Sequence, residues 1–217
     1  MLSKRLLSLT KYIDESDKLI DIGCDHALLD IYIIKNNIIK NMIASDVHEN
    51  ALNAGIKNIK NNRLSKKIDT RLGSGLEVLT KDDDIDTILI SGMGTSTIID
   101  IVSNSYIKNI NKLIIQSNND HELLRTTLTN MGYKITSEEY LVDNKKHYIN
   151  IVFVKGNVKY NKDELKYGPY LLKDKSYLNY IKNKYVNILN RLPKSKILLR
   201  FKQKRAINKI NSYIQMT

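Results

Sequence analysis

The 217-residue sequence predicts an α/β protein built on a doubly wound, mostly parallel sheet, with a helical hairpin appended at its C-terminal end. Three observations predict it. Short apolar runs alternate with helix-period stretches over residues 1 to 155. Two strand-like runs close that series with only a tight turn between them. A lysine-rich segment with its own three-and-four apolar spacing follows.

The strand-like runs are "KLIDIG" (18–23), "NMIASD" (41–46), "KIDTRLG" (67–73), "DTILISG" (86–92) and "KLIIQS" (112–117). Helical stretches lie between them at about 26–35, 49–62, 95–104 and 120–131, the last stopping at Gly132 as a C-cap. "YKITSEEYLV" (133–142) and "HYINIVFV" (147–154) are joined only by "DNKK", which makes an antiparallel hairpin and one reversed strand. In "YLLKDKSYLNYIKNKYVNILNRL", Leu171, Leu178, Ile181, Tyr185, Ile188 and Leu192 form one seam once the polar 174 position is counted. Pro193 interrupts it, and Ile207, Ile210 and Ile214 resume it. The expected division is a body at 1–156 and a basic helical, coiled-coil domain at 157–217.

Composition sets the class. Hydrophobic residues make up 42% and charged residues 27%, enough for a real core. Cys24 is the lone cysteine, so no disulfide forms within the chain and a reducing, cytoplasmic setting is expected. His26, His48, His121 and His147 show no metal-ligand spacing, so no metal is expected. The opening "MLSKRLLSLTKYI" is too basic and broken for a signal peptide, and no apolar run reaches membrane-spanning length. A soluble monomer is the expectation.

The net charge of +12 is unevenly placed. Residues 1–155 hold 20 basic and 20 acidic residues, residues 156–217 hold 15 against 3, and no acid follows Asp174. Codon bias enriches lysine but does not empty a segment of Asp and Glu. A solvated lysine face is one reading; attachment to a nucleic-acid backbone is the better one.

Ligands of such sheets bind beyond the carboxyl ends of the strands. Those ends carry Asp21-Ile-Gly23-Cys24-Asp25-His26, Ser45-Asp46-Val47, Gly73-Ser74-Gly75-Leu76, Ser91-Gly92-Met93-Gly94 and Gln116-Ser-Asn118. Five of the nine glycines fall here, as expected where backbone approaches a flat ligand. Asp46, 23 residues past Gly23, suits a carboxylate that accepts from two ribose hydroxyls, or one that caps the next helix. Gly73 and Gly75 are also open to a plain turn role, and Asp25 to an N-cap role. "DIGCDHALLD" puts Asp25 and Ala27 where a dinucleotide loop has glycine. An acid beside a pyrophosphate costs roughly 1–4 kcal/mol at contact. Beside the ammonium and sulfonium of S-adenosylmethionine, Asp21 and Asp25 become favourable, which disfavours an NAD-dependent oxidoreductase.

At these residues the sequence resembles the bacterial tRNA adenine-N1 methyltransferases that modify position 22, the TrmK family. The resemblance runs through "LSKRL" (2–6), "DIGCDHALLDIY", "RLGSGLEVL" (71–79), "ISGMG" (90–94), "LIIQSN" (113–118), "HYINIVF" (147–153) and "YGPYLLKDK" (167–175). Asp25, His26, Gly73, Gly75, Gly92, Gly94, Gln116, Asn118, Gly168 and Pro169 match the family pattern. Leu28 and Asp30 stand where tyrosine and proline are usual, Ser74 replaces an aspartate, Thr95 a glycine and Ser117 a proline. The resemblance implies a Rossmann-like methyltransferase domain with a helical coiled coil, S-adenosyl-L-methionine as cofactor and tRNA as partner.

The site expected from these readings has Asp25 and His26 as catalytic residues. Asp21, Gly23, Cys24, Asp25, Asp46, Val47, Gly73, Ser74, Gly75, Leu76 and Gly92 would hold the cofactor. Arg5, Met93, Gly94, Asn118 and Tyr148 would meet the substrate. Tyr148 is open to a core role and Arg5 to a surface ion pair. Another RNA substrate, or an RNA-binding protein with a vestigial pocket, are the competing readings.

Overall fold

The computed structural model describes residues 2–217. The body is a seven-stranded sheet with strand order β3-β2-β1-β4-β5-β7-β6. The strands are β1 (Leu19–Ile22), β2 (Met42–Asp46), β3 (Ile68–Leu72), β4 (Thr87–Met93), β5 (Lys112–Ser117), β6 (Tyr133–Asp143) and β7 (Lys146–Lys155). β1 pairs in parallel with β2 and β4, so the chain direction of travel across the sheet reverses there, opening a crevice above the strand ends. β7 runs antiparallel to both β5 and β6, the one reversed strand. The hairpin turn is only Asn144–Lys145, both at positive φ (48° and 63°), matching a two-residue turn that follows the strand twist.

β1 and β2 are buried on both faces, which is why they read as continuous apolar runs. Side chains of β4 and β5 alternate between two cores. Ile88, Ile90, Leu113 and Ile115 enter one; Leu89 and Ile114 enter the other. The second core is closed by α1 (Lys4–Leu9), α2 (Leu28–Lys35) and α3 (Glu49–Asn61). The first is closed by α4 (Thr95–Val102), α5 (His121–Asn130) and the C-terminal helices.

Those helices are α6 (Lys162–Tyr167), α7 (Lys175–Arg191) and α8 (Ile197–Met216). α6 has a capping box, Asn161 with Glu164, that the apolar spacing does not reveal. The expected seam also starts later than its spacing suggested. Leu171 sits in a separate 3-10 turn, and the Asp174 carboxylate accepts from the Tyr177 N–H at 3.0 Å to begin α7. Beyond Pro193, Arg200 donates to the Leu189 and Leu192 carbonyls, closing the end of α7 as α8 folds back along it. Tyr167, Leu171, Tyr177, Leu178 and Ile210 share the core of β5 and β7, so the basic segment is packed into the body.

The fastening is Arg125 on α5 with Glu138 on β6, both without exposed side-chain area and 2.7 Å apart. Arg125 also donates to the Leu165 and Lys166 carbonyls of α6, and Glu138 accepts from the Tyr170 N–H. Gly168 lies above the pair at φ +98°, and a Cβ there would sit 2.4 Å from a Glu138 oxygen. Removing one partner strands a buried charge, a loss of about 3–5 kcal/mol. Arg125→Ala is therefore expected to lower the unfolding free energy by that amount in urea titrations, and Arg125→Met/Glu138→Leu to recover most of it.

Candidate active site

The first loop after β1 is held by backbone. The Gly23 and Cys24 N–H groups both donate to the Ser45 carbonyl, at 2.8 and 2.9 Å. Gly23 has φ +80°, a backbone that strains any other residue, and a Cβ there would also have to displace the mobile end of Met93, 2.3 Å away. Asp25 (φ 52°) and Ala27 (φ 54°) are both left-handed without being glycine. Such backbone costs roughly 1–2 kcal/mol per residue and is retained where its geometry is needed.

Asp46 locks this loop to the next one. One carboxylate oxygen accepts from the Asp25 N–H at 3.0 Å and the other from the His48 N–H at 2.8 Å. Helix α3 begins after His48 without a side-chain cap, so Asp46 braces two loops instead of capping a helix. Further round, the Gly73 N–H donates to the Asp46 carbonyl, and Gly75 at φ +54° packs its bare Cα against Ile101. The Asn118 side chain donates to the Gly92 carbonyl at 2.6 Å, and its N–H to the Met93 carbonyl, fixing the turn after β4.

These loops enclose a cavity of about 490 Å³ over the β1/β4 crossover. All the expected site residues line it except Leu76, Gly94, Asn118 and Tyr148. Leu76 is 2% exposed and belongs to the core, leaving only backbone to offer a ligand. Gly94 caps α4. Asn118 braces Gly92, and Tyr148 lies under Arg5, 5.5 Å from ring centre to guanidinium carbon. Arg5 itself is inside the cavity, donating to Gln116 at 2.7 Å, and not on the outer surface. Leu6 of α1 and Thr97 and Ile101 of α4 are among the further wall residues, the α4 pair having only the apolar period of that helix as advance notice. Among the described residues, no cluster of three or more His, Cys, Asp or Glu is arranged to hold a metal.

Asp25 and His26 stand at the rim, both more than half exposed and 3.6 Å apart. Cys24 is buried, and burial with the neighbouring carboxylates pushes its thiol well above the ordinary range. Asp21 is different: burial, with Asp46 adding, pushes its carboxyl up to about 7 against the pull of Arg5. Beside it lies Asp30 on α2, wholly buried, with no hydrogen-bond partner for either carboxyl oxygen. Burial and the Asp21 charge raise Asp30 well above the carboxylate range, so it stays protonated beside Asp21.

The comparisons with known proteins now bear on this geometry. The model of TrmK, tRNA (adenine(22)-N(1))-methyltransferase, matches residues 19–217. The chain belongs to the TrmK family. It is 31% identical over 183 residues to the tRNA (adenine(22)-N(1))-methyltransferase of Bacillus subtilis, covering 81% of this chain and 76% of that one. Its fold is similar to M. capricolum TrmK in complex with S-adenosyl-homocysteine (TM-score 0.87, 33% identity, 99% of this chain and 98% of that one). It is also similar to a Streptococcus pneumoniae protein in complex with S-adenosyl-L-methionine (TM-score 0.89, 29% identity, 99% and 100%).

The Asp21–Asp30 pair gives a pH prediction. Both carboxyls keep protons in the folded chain at pH values where the unfolded chain, with carboxylate pKa near ~4, has lost them. Their contribution to stability therefore falls as pH rises from about 4 through about 7. Asp30→Asn cannot ionise, so it should stabilise the fold more at pH 8 than at pH 4 in urea melts.

Proposed function

We propose that this chain transfers the methyl group of S-adenosylmethionine to N1 of adenine 22 of tRNA. The carrying observation is the cavity at the strand crossover, where three carboxylates, Asp21, Asp25 and Asp46, face a glycine cradle. That donor set fits a positively charged adenosyl ligand and repels a pyrophosphate.

S-adenosylmethionine supplies an electrophilic methyl group on a sulfonium. Asp46, whose Oδ2 has one backbone bond and whose Oδ1 also lies 3.3 Å from His48 Nδ1, accepts from the ribose hydroxyls, Oδ2 having the freer lone pair. Ser74 and the backbone at Gly75 and Leu76 border the adenine side, and Val47, 59% exposed, offers an apolar face. Asp21, beside the protonated Asp30, and the turn at Gly23 and Cys24 serve the methionine end. Arg5, inside the cavity, is the cation for its carboxylate, a different role from holding tRNA phosphate.

Adenine N1 has a free lone pair, so no strong base is needed. Most of the acceleration comes from aligning N1 with the methyl group. Paired N1 is occupied, so the base must be opened into the cavity. Met93 and Gly94 border its path, with Asn118 holding that turn and Tyr148 holding Arg5. The product carries a new positive charge; Asp25 stabilises it and His26 orients the base. Residues 1–156 thus hold the donor, while 157–217 dock the RNA. The chain works as a monomer in the cytoplasm, the compartment being supported by its lone, free cysteine.

Labelled donor and unmodified tRNA test the reading, with the modified base mapped as a primer-extension stop at position 22. Asp25→Ala is expected to cut turnover by about tenfold or more. Deleting the tail would bare the shared core, so charge reversal at Lys202, Lys204 and Arg205 is the sounder probe of docking. It should raise KM for tRNA and flatten its salt dependence by roughly 0.7–0.9 in log–log slope per lost phosphate contact.

A further inference from the structure

An open groove of about 750 Å³ lies away from the donor cavity, between α7 and the β6–β7 hairpin. Its walls hold rings, amides and cations, and no carboxylate. Tyr140 and His147 lie within 10° of a common plane, joined by a 2.6 Å bond between the Tyr140 hydroxyl and His147 Nδ1. Tyr180 of α7 stacks across both, with centroids 5.4 and 4.0 Å away. His147 is exposed; Tyr140 and Tyr180 are half-buried.

Along α7 the sequence extends this platform in two rows. Asn179, Asn183 and Asn187 recur every four residues and so share one exposed face. Tyr180, Lys184, Ile188 and Arg191 form the row beside it. Rings stack on bases of any sequence, amides meet base edges, and the cations neutralise phosphates. A protein partner would need an apolar centre, and Ile188 alone supplies one.

The groove adjoins the cavity through shared elements. His147 directly precedes Tyr148, the ring under Arg5, on the opposite face of β7. Lys184 lies close enough to His121, at the head of α5, to help burial and Arg125 lower that imidazole to about 4. α5 follows the loop that carries Asn118.

We propose that this groove is a second nucleotide subsite, which takes unpaired tRNA nucleotides flanking the adenine delivered to the cavity. His147 and Tyr180 stack with the bases, and Asn183 and Asn187 bond their edges. The assignment rests on the tRNA reading above and adds a physical need. Opening one pair strips neighbouring bases of stacking, and a ring-lined groove one strand away restores it.

The test uses the full chain, an unmodified tRNA transcript, and a labelled single-stranded oligoribonucleotide spanning the target adenine. Asn183→Ala/Asn187→Ala changes exposed residues only; His147→Ala and Tyr180→Leu remove ring faces. Each is expected to raise KM for tRNA and weaken oligonucleotide binding roughly fivefold or more, with S-adenosyl-homocysteine affinity unchanged. Unchanged KM and oligonucleotide affinity would overturn the proposal. So would equal affinity for a fully paired RNA hairpin, which would mean backbone grip alone. A dimer that dissociates on substitution, with tRNA kinetics intact, would assign the groove to a second copy instead. Should the unmodified chain fail to methylate tRNA, the function reading fails, while the oligonucleotide titration still decides the groove.

Discussion

Arg125 and Glu138 meet where α5, β6 and α6 converge, and the placement of the C-terminal helices follows from their pairing. Two charges without water are held only because each has several partners: two α6 carbonyls for the guanidinium, the Tyr170 N–H for the carboxylate. The pair leaves no room for a side chain above it, which gives Gly168 its identity. From this anchor the 3-10 turn at Leu171 leads into α7, which lies against the β6–β7 hairpin beside the strand ends that form the cavity. Asp163 adds a second tie, pairing with Lys209 at 2.5 Å and accepting from the Tyr213 hydroxyl. The cationic helices are thus set at a fixed position relative to the reaction chamber.

Charge is divided by task across this frame. Three acids of the body, Asp21, Asp25 and Asp46, face the cavity beyond the strand ends, where a cationic alkyl donor fits. The tail carries bases alone beyond Asp174, the charge that the proposed docking of a polyanion requires. Asp46 links charge to geometry, since the carboxylate proposed to serve a ligand also holds the loops that shape its cradle.

Much of this was legible in the sequence because its signals are local. Strand runs, the glycine-bearing ends and the four-residue hairpin junction each declare themselves within a few residues, and the cavity gathers those ends in the expected place. What escaped depends on contacts between distant segments. Nothing near Arg125 or Glu138 in the sequence marks them as partners. Asp30 lies in "LLDIYII", a helix apolar on nearly every side, so its carboxyl is carried inward beside Asp21. Arg5 is expected from the sequence to meet the substrate or to form a surface ion pair; its place inside the cavity is not legible locally because it requires the α1 N-terminus to dock on Asp143 and Tyr148, more than a hundred residues away. Leu76 follows two loop glycines yet turns into the core, since a 3-10 turn at 75–78 reverses the chain there.

The left-handed backbone at Asp25 and Ala27 has an evolutionary consequence. Glycine at either position would relieve the conformational penalty and make a hardier protein, a change one codon step could reach. At position 25 that gain would erase the rim carboxylate. On the proposed role of Asp25, selection for durability and selection for turnover pull this loop in opposite directions, and an aspartate in a conformation better suited to glycine records which of the two prevailed.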